Sequence, residues 1–298
     1  MISVAMTTFN GENYLREQLD SILAQTIHDF ELVVCDDSST DGTWNILKEY
    51  KNADSRISLY RNEKNLGVKK NFEKAMSLCK GEYIALSDQD DIWMPNHLEV
   101  LYNGMGDKLM SCGYNQLVDG DNRELLAGKS KKLKDCIPEK ELYMAYSIIL
   151  YRNPFQGASM MIHRRLLDVL LPLPQRLAYH DSWIAVLTCF YGGFSFCDSV
   201  ITRQRKHGGN VTEVYVDKTN RLKEFLKNVK NPCYYDRTTM LSEIEERVPL
   251  SEEGKWVLND LRRVVNRNSS IWGRFQNFFF KLRHYQRIYG FTNQKWGI

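Results

Sequence analysis

Asp88-Gln89-Asp90-Asp91 places three carboxylates in four residues, directly after the apolar run Tyr83-Ile84-Ala85-Leu86-Ser87. Carboxylates this close repel one another unless a cation is present. Hard oxygen donors of this kind suit Mg²⁺ or Mn²⁺, ions that also take ligands from substrate phosphates. An acidic turn capping the next helix is the plainer use of the same residues. A second cluster, Asp36-Asp37-Ser38-Ser39-Thr40-Asp41-Gly42, follows the apolar run Phe30 to Cys35 and is equally suited to capping. His180-Asp181-Ser182-Trp183 heads a third apolar stretch, where Asp181 would serve as a helix N-cap. Arg203-Gln204-Arg205-Lys206-His207-Gly208-Gly209-Asn210 is a basic segment that fits a diphosphate or, failing that, a solvated turn.

These clusters need elements to hold them. The first 95 residues alternate strand and helix signals. Strands are expected at Ile2 to Thr8, Phe30 to Cys35, Ile57 to Arg61 and Glu82 to Ser87. Helices are expected at Asn13 to Gln25, with apolar residues at 15, 19, 22 and 23, at Trp44 to Tyr50, and at Asn71 to Cys79. Such alternation argues for a parallel α/β sheet, in which ligands bind beyond the carboxyl ends of the strands. Both acidic clusters fall there. The stretch from about 97 to 215 is less regular. It offers strand signals at Met110 to Gly113, Tyr114 to Val118, Gln156 to His163 and Ser199 to Arg205. Helical signals run from Leu98 to Tyr102, Arg164 to Leu171 and Trp183 to Phe190. After Tyr215 the pattern is helical, with Ser251-Glu252-Glu253 as one helix start.

Composition narrows the class. Of 298 residues, 43% are apolar and 26% charged, which excludes a wholly disordered chain. The longest apolar candidate, Trp183 to Phe196, is too short to span a bilayer and contains Gly192 and Gly193. The first residues carry no basic stretch of the kind that opens a signal peptide, so a cytoplasmic location is expected. Seven cysteines, none in a Cys-x-x-Cys pair, read as reduced core residues rather than a disulfide frame or zinc site. The net charge of +3 hides an asymmetry: residues 1–215 carry −4 and residues 216–298 carry +7.

Taken together, Ser3-Val4-Ala5-Met6-Thr7-Thr8-Phe9-Asn10, the Asp36–Gly42 segment and Gly81-Glu82-Tyr83-Ile84-Ala85-Leu86-Ser87-Asp88-Gln89-Asp90-Asp91 resemble, in order and spacing, the family 2 glycosyltransferases. The resemblance covers roughly residues 1–215. It implies a GT-A fold, a Rossmann-like α/β domain, with nucleotide-sugar binding in about 1–95 and acceptor binding in about 96–215. Residues 216–298 would form a helical, basic and aromatic extension. In similar enzymes the loop matching Thr8, Phe9 and Asn10 lines the nucleotide pocket, and the residue matching Asp37 accepts the pyrimidine N3–H. Asn65 and Gly67 match a loop that approaches the nucleotide. Asp88 and Gln89 match nucleotide-sugar contacts, and Asp90 matches the metal-binding Asp, with His207 completing the shell around Mn²⁺ or Mg²⁺. Asp181 matches the general base of an inverting direct displacement; His180 departs from the acidic residue usual before it. Asp91, Trp93, Gln156, His180, Arg203 and Arg205 remain as candidate diphosphate or acceptor contacts. Arg205 and Lys206 stand inserted between Gln204 and His207, which leaves open which side chain reaches the phosphates.

Ser87–Trp93, Asn65-Leu66-Gly67 and Gln156–Met161 look like bacterial rhamnosyltransferases, implying dTDP-L-rhamnose as donor, with UDP-hexoses or a UDP-N-acetylhexosamine as alternatives. The implied acceptor is a lipid-linked glycan in surface polysaccharide synthesis. Residues 261–298 hold eight basic residues, no acidic ones and nine aromatics. Ile271, Phe275, Phe278, Leu282, Tyr285 and Tyr289 form one stripe. Such a helix suits the inner face of an anionic membrane; packing on the catalytic domain or pairing in a homodimer are the other uses, and a nucleic-acid patch is disfavoured. Two rivals exist. A nucleotidyltransferase would need a Gly-rich, basic N-terminal loop that Thr7–Asn13 lacks. A degenerate scaffold would have lost the carboxylates Asp37, Asp88, Asp90 and Asp181, all of which are present.

Overall fold

The computed structural model describes residues 1–125, 138, 140–150, 153–177, 179–208 and 237–267. Four parallel strands form one half of the sheet: β1 (Ile2–Thr8), β2 (Phe30–Asp36), β3 (Ile57–Arg61) and β4 (Tyr83–Ser87). Register aligns their carboxyl ends. Thr8 stands opposite Asp36, and Met6 opposite Ser87, so the loops that follow share one edge. Helices α1 (Leu15–Leu23), α2 (Thr43–Ala53) and α3 (Val68–Leu78) connect them. α1 forms because Leu15, Leu19 and Ile22 recur on one face and bury completely.

The second half is not parallel. β5 (Ile92–Trp93), α4 (His97–Met105), β6 (Met110–Val118), α5 (Met144–Leu150), β7 (Met160–His163), α6 (Leu167–Leu170), α7 (His180–Phe190) and β8 (Phe194–Arg205) follow. The sheet order is β3-β2-β1-β4-β7-β6-β8-β5. β7 runs antiparallel to β4 and β6, and β5 antiparallel to β8, while β6 and β8 are parallel. The sheet is therefore mixed, parallel in four of its seven strand pairings among the described residues, in keeping with the mostly parallel GT-A sheet expected. The two strands expected over 110–118 are one, with its register shifting around Gly113, where a Cβ would meet Ile201 Cδ1 at 2.8 Å.

Helices cover both faces of the sheet. One core joins α1, α2 and α4 to the sheet through Leu15, Leu47 and Leu98; the other joins α3, α5 and α7 through Phe72, Ile149 and Trp183. The second core also takes in α8 (Arg237–Arg247) and α9 (Glu252–Arg267), whose Met240, Ile244, Leu258, Leu261 and Val264 are buried. The Arg247 guanidinium donates to the carbonyls of Leu170 and Pro172. Ser251 accepts from Gly254 N at 3.0 Å, the helix start expected there. The described part of the C-terminal stretch thus shares the core of the first 215 residues rather than standing apart. The stripe from Ile271 to Tyr289 lies outside the described residues, as does Asn210.

Candidate active site

The first wall of the site comes from the loops after β1 and β2. Asp36 is fully buried; it accepts from Thr8 Oγ1 at 3.0 Å and from Ser39 Oγ at 2.6 Å. Asn10 and Ser38 take left-handed backbones, at φ 49° and 65°. Asn10 Oδ1 accepts from Thr40 N at 2.8 Å, so the two loops brace each other. Gly42, not Asp41, stands at the cap position of α2; Asp41 Oδ1 accepts from Thr43 N, at the start of the helix, at 3.0 Å. Asp37 is 2% exposed. Its Oδ1 accepts from Asn62 Nδ2 at 2.7 Å and Leu66 N at 2.8 Å, and its Oδ2 from Gly67 N at 2.9 Å. Asp37 therefore shapes the 62–67 loop, and Oδ2 keeps capacity for a further donor. Asn65 Oδ1 also accepts from Gly67 N. Gly67, at φ 81° and ψ 154°, holds a backbone closed to side-chain-bearing residues as it opens α3. Phe9 and Leu66 are exposed, and both are tied to Asp37 through the backbone: Asp37 N donates to the carbonyl of Thr8, the residue before Phe9, and Leu66 N donates to Asp37 Oδ1.

The acidic loop after β4 is the second wall. Gln89 pairs its carboxamide with the Phe9 backbone: Phe9 N donates to Oε1 at 2.8 Å, and Nε2 donates to Phe9 O at 2.9 Å. A Cβ at Gly11 would collide with Gln89 Oε1 and push the carboxamide out of this pairing. Gln89, partly exposed, braces the two loops.

Three candidates are corrected. Asp91 is 2% exposed and accepts from Arg205 N at 3.1 Å. Trp93 lies inside β5, 2% exposed and stacked on His97 at 3.8 Å. Arg205 is 1% exposed; its guanidinium donates to Asp90 O at 3.1 Å, Gly120 O at 2.8 Å and Glu17 Oε2 at 2.8 Å, with the Tyr14 ring 4.8 Å away. The cause is the antiparallel pairing of β5 with β8, which draws the residues after Asp90 inward against α1. None of the three is open to a diphosphate. Arg203 is partly exposed in β8, its guanidinium making no hydrogen bond or ion pair among the described residues, and keeps that candidacy. Glu17 and Tyr14 carried no motif and became visible only through Arg205.

Asp90 points the other way. Its Oδ2 lies 2.8 Å from His207 Nε2, and the two side chains are 16% and 17% exposed. Tyr14 stacks on the His207 ring at 4.5 Å. A carboxylate oxygen and an imidazole nitrogen facing one space suit Mn²⁺ or Mg²⁺. Among the described residues, no group of three or more His, Cys, Asp or Glu could hold an ion. Two protein donors fit a cation that draws the rest of its shell from phosphate and water.

The third wall is the start of α7. Tyr179, not Asp181, stands at the cap position; Asp181 sits in the first turn. Its carboxylate accepts from Ser182 N and Oγ, and is reached by the Asn153 side chain and Gly157 N–H. Burial outweighs these bonds and raises its pKa to about 6. Burial, then the charges of Asp90 and Asp181, raise Asp88 to about 7. The acidic loop and Asp181 therefore feel one another directly. His180 is 7% exposed and stacks on Phe72 at 3.9 Å. Burial lowers its pKa to about 3, so the imidazole is neutral. Gln156 Oε1 accepts from Asn115 Nδ2.

The chain has matching relatives. One, a UDP-Glc:alpha-D-GlcNAc-diphosphoundecaprenol beta-1,3-glucosyltransferase of Escherichia coli (WfgD), is 30% identical over 63% of this chain and 70% of its own. Other relatives, 33–40% identical, align over only 33–39% of this chain, which spans less than half of their length. Among solved structures, TarS of S. aureus in complex with UDP-GlcNAc superposes with a TM-score of 0.59 at 20% identity, over 96% of this chain and 78% of that one. The mannosyltransferase PcManGT of Pyrobaculum calidifontis, in complex with GDP-Man and Mn²⁺, does so with 0.53 at 15%, over 95% and 80%. Those two likenesses establish the mixed GT-A sheet described above. The family model for glycosyl transferase family 2 matches residues 3–166, more than half of the sequence, and on that match the chain belongs to this family.

Proposed function

We propose that the protein transfers a sugar from a pyrimidine nucleoside diphosphate to a hydroxyl of a lipid-linked glycan, with inversion at the anomeric carbon, in polysaccharide synthesis. The observation that carries this is the alignment of the β1, β2 and β4 carboxyl ends, which sets the Asp37 and Asp90 loops on one edge, with His207 paired to Asp90 and the charge of Asp181 felt by Asp88. Asp37 Oδ2 accepts the N3–H of the base, with Phe9 and Leu66 as apolar flanks. Asp90 and His207 would hold Mn²⁺ or Mg²⁺, which neutralises charge on the leaving diphosphate. Arg203 adds a cation on the same strand. Asp181 takes the proton of the attacking hydroxyl; its raised pKa makes it a better base than a solvated Asp. A single base and no second nucleophile give direct displacement.

The relative named as a glucosyltransferase supports UDP-glucose as donor; the Ser87–Trp93 and Gln156–Met161 resemblance supports dTDP-L-rhamnose. The basic, aromatic sequence of 268–298 supports attachment to an anionic membrane face. No helix among the described residues is long and apolar enough to cross a membrane. The test is a thermal-shift panel with Mn²⁺ and each of UDP, dTDP, GDP and CMP, then the matching sugars. A ligand that binds only the native state raises its melting temperature. Metal-dependent shifts with UDP or dTDP are expected, and the sugar that adds to the shift names the donor. No shift with any nucleotide would overturn the reading.

A further inference from the structure

Four of the nine buried side-chain atoms without a partner among the described residues belong to three residues that face the Gln156–Ser159 turn. Asn115 Oδ1, Gln204 Oε1 and both ring nitrogens of His180 are buried with no hydrogen-bond partner. Leaving one such atom unpaired costs about 1–3 kcal/mol in general, so a cluster of them asks for an explanation. Parallel pairing of β6 with β8 sets Asn115 opposite Thr202 and Leu117 opposite Gln204. Thr202 Oγ1 donates to Ala158 O at 3.0 Å, and Asn115 Nδ2 donates to Gln156 Oε1, so both strands present this face to the same turn. Gln204, two residues after Thr202, shares that face. The turn itself reaches Asp181 through Gly157 N–H. A Cβ at Gly157 would come within 3.0 Å of His180 Nε2, which places the imidazole against the same turn. At its other end Gln204 precedes Arg205, whose amide binds Asp91, and lies three residues before His207. The carboxamides of Asn115 and Gln156 are thus bonded to one another beside the turn that reaches Asp181, and Gln204 shares their face three residues before His207.

We infer that Asn115 and Gln204, with Gln156, form the subsite that recognises the ring hydroxyls of an uncharged pyranose; this rests on the transferase reading. A carboxamide offers acceptor and donors side by side, matching adjacent hydroxyls that do the same. The orphaned oxygens are the acceptors such hydroxyls would satisfy. The sugar is that of the donor or that of the acceptor, and the experiment separates the two. Calorimetry with Mn²⁺ measures UDP, UDP-glucose, dTDP and dTDP-L-rhamnose binding to the full chain and to Gln204→Met and Asn115→Leu, two substitutions that keep side-chain volume. Acceptor kinetics use p-nitrophenyl glycosides. Nucleotide affinity within about 2-fold, with the preferred nucleotide sugar weakened by about 10-fold, assigns the subsite to the donor sugar. Unchanged donor affinity with KM for the glycoside raised about 10-fold assigns it to the acceptor. Full retention of both overturns the inference, as does equal weakening of nucleotide and nucleotide sugar, which marks a structural role. Absence of nucleotide binding by the unaltered protein is a different failure, that of the transferase reading itself.

Discussion

On the β1–β4 side, buried polar groups are saturated. Asp36 is met by Thr8 and Ser39, Asp37 by Asn62, Leu66 and Gly67, Asn71 by Cys35 O and Asn62, and Gln18 by Ser87. Among the described residues 1–92, no buried side-chain nitrogen or oxygen lacks a partner. Past residue 92 such atoms occur in Trp93, which packs into the core of β1 and β2, in His97 stacked on it, in Asn122, in Ser195, at Arg237 Nε, and, on the face of β6 and β8 that meets the 156–159 turn, in Asn115, His180 and Gln204. Saturated groups fix loop shapes before any ligand arrives. Orphaned groups hold back hydrogen bonds, and that stored capacity is what recognition of a polar ligand needs. The fixed half suits an invariant nucleotide, and the unsatisfied half a sugar.

The largest effect is expected where the two halves meet. Asp181→Asn should lower turnover by at least ~10²-fold, the range for losing a general base, while UDP or dTDP affinity stays within about 2-fold. Steady-state turnover beside calorimetric nucleotide binding measures both. Unchanged turnover removes Asp181 from the chemistry and reduces the contrast to one of packing alone.

Arg205 is next, because it ties α1 of the saturated half to the acidic loop. Arg205→Met leaves the Gly120 and Asp90 carbonyls unpaired and should cost about 3 kcal/mol in urea unfolding. It should also weaken Mn²⁺ binding in the presence of nucleotide, read by electron paramagnetic resonance of the free ion. Arg205→Lys should not rescue either, since one ammonium cannot span acceptors arranged for a planar fork. A lysine variant with wild-type metal affinity would mean the guanidinium positions nothing.

The same residue shows what local pattern can reveal. β1 to β4 were legible because each strand is a short apolar run and each loop follows it directly, so sequence neighbours are also neighbours at the site. Asp90 and Asp181 came with those motifs. Trp93 and Arg205 were misplaced because their fate depends on β5 pairing with β8, more than a hundred residues on. Asn115 gave no local signal and Gln204 only its place in the basic segment, since it is the parallel pairing of β6 and β8 that sets them on one face. α8 and α9 were read as helices from their periodicity, but periodicity says nothing about which core receives them.

A pH profile sharpens the base. Burial holds the Asp181 carboxyl up to about 6. Below that value it is protonated and cannot accept the proton of the hydroxyl, so kcat/KM should fall as pH drops through about 6 and level off above about 7. The residual activity of Asp181→Asn should lack this limb. A profile flat across about pH 5 to 8 would place the rate-limiting proton transfer elsewhere.

The smallest effect tests the contrast itself. Asn71 and His180 are both buried, at 1% and 7% exposure, and both lie close to Phe72, Asn71 as its chain neighbour and His180 stacked on its ring. They differ in satisfaction: Asn71 bonds Cys35 O at 2.8 Å and Asn62 Nδ2 at 2.9 Å, and His180 bonds nothing through its ring. Replacing Asn71 by Leu strands those two partners and should cost about 2–3 kcal/mol. Replacing His180 by Leu strands none. It gives up the ring stacking, worth about 1 kcal/mol, but also removes two unsatisfied atoms, so the net change should stay within about 1 kcal/mol of zero. Urea unfolding of the two variants side by side reads the difference. If His180→Leu loses as much as Asn71→Leu, the imidazole is bonded after all, and the division between a saturated and an unsatisfied half fails at the residue where it is drawn most sharply.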